Sequence, residues 1–205
     1  MPRWDNSLRT QEEIHTLKRE AILRAAGNLF NEKGYHNTSL EEVAKLLQIS
    51  KGTLYNYVKN KQEILYEFYW RGQDIADRSV DLAEKSGLNG AGKLRMSIET
   101  YIVEVIENLG GYGLLAEIAA LEPGDRKAIV ERRDLLEQRY IRIIEEGVAD
   151  GSIREIDRGM LLFTLVGAVQ FISNWYSAGG TTSEKELARG IADLLLSGLA
   201  APGQK

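Results

Sequence analysis

Apolar residues in this chain recur at spacings of three and four, and polar or glycine-rich breaks divide them into segments of helical length. Leu17, Ala21, Ala25, Leu29 and Phe30 predict an amphipathic first helix ending near Gly34, after a polar arm over residues 1–15. Leu40, Val43, Ala44 and Leu47 then mark the apolar face of a short second helix. Thr38 and Ser39 each precede a glutamate (Glu41, Glu42) by three residues, the spacing of a capping box. Gln48-Ile49-Ser50 reads as a turn, with Ser50 placed to cap a third helix from Lys51 to Val58 that buries Leu54 and Val58. Asn60 and Glu63 cap a longer helix that carries Ile64, Leu65, Phe68 and Tyr69 towards Lys85, and residues 86–92 form a loop.

Five more helices are expected beyond that loop. They run from Lys93 to Asn108, Leu114 to Leu121, Arg126 to Asp150, Asp157 to Ala178, and from a Ser183/Glu186 capping box to Leu199. With three prolines and no sustained period-two alternation, the fold class is all-α. The expected division is an N-terminal three-helix domain over residues 1–63 and a larger helical domain over residues 64–205.

The second and third helices form a helix–turn–helix whose second helix leaves Lys51, Thr53, Asn56 and Tyr57 off its buried face. Such a helix suits a DNA major groove. Charge agrees locally: Val43 through Gln62 contains no Asp or Glu but holds Lys45, Lys51, Lys59 and Lys61. The whole chain has net charge −4, yet residues 1–63 carry 10 basic against 8 acidic side chains. Phosphate contacts depend on the local surface, so only the first third is expected to touch DNA. Cysteine is absent, which removes disulfides and cysteine zinc sites and favours a reducing, cytoplasmic setting. No signal peptide is visible, and the most apolar run, Met160 to Ile172, is shorter than the roughly 20 residues needed to span a bilayer, so no membrane partner is expected. His15 and His36 lie far apart in polar stretches, and neither a metal site, a catalytic triad nor a phosphate-binding loop can be argued. No cofactor and no enzymatic role are expected.

Over residues 17–65 the chain resembles the TetR (tetracycline-repressor-like) family of transcriptional regulators. The resemblance rests on Gly34, the Thr38 cap, Val43-Ala44, and Ser50-Lys-Gly-Thr-Leu-Tyr-Asn-Tyr-Val-Lys-Asn-Lys61 followed by Glu63-Ile-Leu65. It implies a homodimer on double-stranded DNA, a palindromic operator, and a C-terminal pocket for a small-molecule effector. Lys51, Thr53 and Asn56 become the base-reading set: Lys51 donates to guanine, Asn56 pairs with adenine, and the Thr53 methyl meets a thymine methyl. Gly52 allows close backbone approach. Tyr55, Tyr57 and Lys61, with Thr38 at a helix N-terminus, resemble the family's phosphate-contacting set, and Ser39 and Ser50 complete the expected DNA surface.

The apolar penultimate helix and its amphipathic successor suggest a four-helix seam between two copies through Leu165, Gly167, Ala168, Ile172, Ile191, Leu194 and Leu195. A surplus of large amphipathic side chains suggests a pocket bounded by Phe68, Tyr69, Tyr101, Val105, Ile118, Arg133, Leu136, Tyr140, Phe163, Val166, Gln170 and Trp175. Ordinary core is the competing reading for each. Glu117, interrupting an apolar run, needs a partner such as Arg132, Arg133 or Arg139, or a cationic ligand. Asn174-Trp-Tyr-Ser-Ala-Gly-Gly180 resembles a segment of family members that sense acyl-CoA esters, although Asn174 and Ser177 stand where those proteins tend to carry arginines. The favoured function is a ligand-responsive repressor. A helical enzyme on an acyl or aromatic substrate and an effector-independent DNA-binding regulator are the alternatives.

Overall fold

The computed structural model describes residues 10–109, 118–170, 172 and 182–197. Among them are eight α-helices: α1 Gln11–Lys33, α2 Leu40–Leu46, α3 Lys51–Tyr55, α4 Lys61–Lys85, α5 Gly90–Leu109, α6 Pro123–Ala149, α7 Arg158–Gln170 and α8 Glu184–Ser197. A 3₁₀ turn occupies Ile118–Ala120; the rest of the helix expected from Leu114 lies outside the described residues. The chain forms two compact units, residues 1–67 and 68–205, with α4 running from the first into the second. No described helix is long and apolar enough to cross a membrane.

The first unit begins earlier than the apolar pattern suggests. Thr10 caps α1 in a capping box with Glu13, so the helix starts at Gln11 inside the expected polar arm. Its buried face also differs. Ile22, Leu23, Ala25, Ala26, Leu29 and Phe30 pack inward, while Leu17 and Ala21 face solvent. Leu40, Val43 and Ala44 of α2 and Leu54 of α3 close this small core. The cap of α2 is Ser39, which exchanges bonds with Glu42. Lys33 Nζ lies 2.7 Å from the same carboxylate and, with the backbone N–H of Ser39, pulls the Glu42 pKa from 4.5 down to about 2.

The second unit is built around α5, which packs against α6 and α8. Its core joins Ile75 and Val80 of α4, Ile98 and Ile102 of α5, Ile143 and Ile144 of α6, Leu161 of α7 and Ala192 of α8. The start of α5 lies so close to α6 that a β-carbon on Gly90 would stand 2.2 Å from the Gly147 backbone. Asp150 and Ser152, just past α6, accept from the N–H groups of Gly90 and Ala91 and cap α5 three residues before its expected start. Pro123 opens α6 three residues before its expected start at Arg126, because an N–H in the first turn has no intrahelical acceptor and proline loses no bond there. Arg132 reaches Asp74 and Asp77, and Arg139 reaches Asp81 and Glu84, in a ladder joining α6 to α4. Glu117 lies outside the described residues, so its pairing with any arginine is not described.

Candidate nucleic-acid interface and internal cavity

The turn between α2 and α3 is closed by backbone bonds from Leu47 to Val43 and from Ile49 to Ala44 (3.1 and 3.0 Å). Gln48 adopts φ +54°, the left-handed conformation that lets the chain reverse within three residues. Ser50 then caps α3, its Oγ accepting from the N–H of Thr53 at 3.0 Å and lying 2.8 Å from the Thr53 hydroxyl. The helix is anchored by Leu54, which is wholly buried, and by Val58 beyond its end.

That anchoring turns Lys51, Gly52, Thr53, Tyr55 and Asn56 to solvent on one short helix and its cap. Lys51 forms an ion pair with Glu41 of α2. Both partners are exposed, so the pair is weak and leaves the ammonium exchangeable. Tyr57 is half-buried and packs against His15 of α1, ring centroids 4.7 Å apart. Ser39 is half-buried within its capping box.

Two expected phosphate contacts point inward. Thr38 is 3% exposed, and its hydroxyl donates to the carbonyls of Leu29 and Gly34 at 3.1 and 3.0 Å. Its side chain fixes the α1–α2 turn and has no surface to offer a phosphate. Lys61 Nζ donates to the carbonyls of Tyr35 and Thr38 at 2.7 and 2.8 Å and sits 4.2 Å from the Tyr35 ring centroid. Partial burial lowers its pKa. In this arrangement the ammonium bridges that turn and the start of α4.

The second unit holds a cavity of about 330 Å³, within the range of small-molecule sites. Of the residues expected there, Tyr69, Tyr101, Ile118, Arg133, Leu136, Tyr140 and Val166 line it. Phe68 and Val105 do not; they are sealed into the core at 2% and 0% exposure. Phe163 faces away at 76% exposure, one turn from the lining residue Val166. The Gln170 side chain and Trp175 lie outside what is described, as does the segment from Asn174 to Gly180.

Gly72, Gln73 and Ala76 of α4 also line the cavity, as do Glu137 and Leu165. Helical spacing from Tyr69 to Gln73 and Ala76 was the sequence signal that could have found the α4 wall. Leu165 was expected in the dimer seam but is buried against the cavity, and Ile172, expected there too, is 1% exposed in the core. Gly167 and Leu194 remain at the surface, whereas Ala168, Ile191 and Leu195 are half-buried.

Comparison with known proteins agrees with this arrangement. Residues 22–68 match the family model for bacterial regulatory proteins of the tetR family, and residues 87–199 match that for the tetracyclin repressor-like C-terminal domain. The chain is 26% identical to the HTH-type transcriptional repressor KstR2 of Mycolicibacterium smegmatis, covering 89% of this chain and 90% of that one. It is 27% identical to the fatty acid metabolism regulator protein of Bacillus subtilis, covering 87% and 93%. The crystal structure of AibR in complex with isovaleryl coenzyme A and operator DNA superposes with a TM-score of 0.72 at 24% identity, covering 87% of this chain and 98% of that one. The C-terminal match alone spans more than half of the chain, which therefore belongs to the TetR family, whose members are DNA-binding transcriptional regulators and not enzymes.

Proposed function

We propose that this protein is a homodimeric repressor that occupies a palindromic operator and leaves it when a small, largely apolar effector enters the cavity of its second unit. The observation that carries this reading is α4. One helix contributes Tyr69, Gly72, Gln73 and Ala76 to the cavity wall. Earlier along it, Glu63 and Glu67 hold Arg19 of α1 at 3.0 and 2.6 Å, and Lys61 holds the α1–α2 turn. An effector that shifts α4 therefore acts on the unit presenting Lys51, Thr53 and Asn56. For the shift to matter, the effector must bind the DNA-free conformer more tightly than the DNA-bound one.

Lys51 and Asn56 supply the donors for guanine and adenine edges, with the Thr53 methyl against thymine. Tyr55, Tyr57, Ser39 and Ser50 flank them as phosphate contacts. Exposed apolar side chains on α7 and α8, including Phe163 and Leu194, support a dimer through these helices, which would set two recognition helices on successive grooves. The cytoplasm is the compartment in which such a regulator meets its DNA. AibR with isovaleryl coenzyme A, and the fatty acid metabolism regulator, make acyl thioesters the first effector class to test.

A mobility-shift titration on the promoter DNA beside its own gene tests the reading. The expected result is a discrete complex that Asn56→Ala weakens by about 1–3 kcal/mol at one base pair while non-specific binding is unchanged. The complex should dissociate on addition of an acyl thioester that also raises the Tm of the free protein. A complex that no cavity-binding ligand dissociates would leave an effector-independent regulator.

A further inference from the structure

The cavity wall contains a buried polar atom, Gln73 Oε1, that finds no hydrogen-bonding partner among the described residues. Gln73 lies between Tyr69 and Ala76 on the stretch of α4 that lines the cavity. An amide oxygen taken out of water without a partner is costly, whereas a hydrocarbon side chain of similar size would carry no such penalty there.

The other polar groups of the wall are already committed or neutral. The Tyr140 hydroxyl is held by Ser97 and Ser79, and burial keeps the Tyr101 phenol protonated by raising its pKa. Arg133, at the lining, pairs with Glu137 at 3.3 Å and with Asp134 at 3.1 Å, so the two charged lining residues offset each other. A carboxylate would be repelled by the amide oxygen, and an ammonium would enter without a free counter-charge. An alcohol brings a donor without a charge.

We propose that the cavity recognises an apolar molecule bearing a hydroxyl group, whose O–H donates to Gln73 Oε1 while its hydrocarbon body packs against Ile98, Ile129, Leu162 and Leu165. This rests on the cavity being the effector site. It narrows the effector to a hydroxylated aliphatic body, either a free alcohol or the acyl part of a thioester.

Calorimetric titration of the full chain tests it with 1-decanol and its isomer methyl nonyl ether, which has the same atoms but no donor. Wild type should bind the alcohol about five- to tenfold more tightly, the worth of one buried neutral hydrogen bond. Gln73→Met and Gln73→Leu should bind both isomers with equal affinity. A second pair, 3-hydroxydecanoyl-CoA against decanoyl-CoA, separates the sources. A hydroxyl preference in this pair places the group on a thioester-borne chain, and a preference in the alcohol pair alone places it on a free alcohol. Equal affinities within both pairs on wild type, or a preference that survives both Gln73 variants, overturn the polar subsite while leaving the cavity as an effector site. Failure of all four probes to bind overturns the subsite and the effector reading together. The comparison within each pair is made on wild type, so it holds even if a variant fails to fold.

Discussion

Gly52 stands where a side chain would cost the free protein little. A β-carbon built there meets nothing nearer than Ser50 Oγ, at 3.9 Å, an ordinary contact. Glycine in a helix is less stable than alanine by roughly 0.5–1 kcal/mol, and no close packing among the described residues requires it there. Close approach to a DNA backbone would. Gly52→Ala should therefore raise the stability of the free protein by about that amount and weaken operator binding, seen as a higher Tm together with a weaker mobility shift. A stabilised variant with unchanged operator affinity would move the DNA surface away from α3. Glu42 gives a test of local electrostatics. Its folded pKa of about 2 lies below the ordinary 4.5, so its contribution to stability is complete above about pH 5 and disappears as pH falls from 4.5 towards 2. Tm measured against pH for wild type and Glu42→Gln should show a gap near neutrality that closes over that window. A gap constant from pH 7 to pH 2 would mean that the Lys33–Glu42–Ser39 cluster does not hold α2.

At the scale of elements, Lys61 decides what the start of α4 does. A phosphate-binding lysine, once removed, lowers DNA affinity and reduces the salt slope by about one while stability is unchanged. A staple removed leaves the Tyr35 and Thr38 carbonyls without their donor, at a cost of roughly 1–3 kcal/mol. Lys61→Met should therefore lower the denaturation midpoint clearly and leave the slope of log affinity against log salt within a few tenths of wild type. The opposite pattern would return Lys61 to the DNA surface. The sequence made the helices legible wherever a cap and an apolar stripe coincide: Ser39 with Glu42, Ser50 before Leu54, Ser183 with Glu186. Thr38 misled because residue type reports what a group can donate, and only the folded turn shows which carbonyls lie within reach. Lys61 reaches the Tyr35 and Thr38 carbonyls of the same turn, and the salt slope decides its role. The start of α6 was expected at Arg126 and lies at Pro123, because in one dimension a proline within a helix's first turn looks like a break before it. On α7 the almost uniformly apolar sequence cannot say which side faces the cavity. The expectation that put Leu165 in the seam and Phe163 in the pocket therefore fails for both on burial, at 4% and 76% exposed.

At the scale of the whole molecule, the charge imbalance and the apolar surface belong to one argument. Residues 1–63 carry a slight positive excess while the full chain is at −4, so the C-terminal region is net acidic and gives DNA no general attraction. In the proposed dimer, operator affinity comes from two copies of a small basic unit held at a fixed separation, roughly 34–36 Å or a multiple for half-sites on one face of the duplex. The proposed means of holding them is the apolar surface of the second unit, where Met160 and Phe163 of α7 and Leu194 of α8 are 67%, 76% and 78% exposed. Leu194 is the sharpest probe because so little of it packs within its own chain. Leu194→Glu should leave the fold of one chain intact, with a helical spectrum and a cooperative melt like those of wild type at low protein concentration. A carboxylate brought into an apolar seam without a partner costs several kcal/mol, enough to shift dimer to monomer at micromolar concentration. Sedimentation should therefore report monomer, and operator binding should fall by at least about a hundredfold, since each half-site must then be bound alone. Non-specific DNA binding per chain should change little, because Lys51 and its neighbours are untouched. If Leu194→Glu sediments as a dimer and binds the operator as wild type does, the seam lies on another face, and the exposed apolar side chains of α7 and α8 serve a different partner.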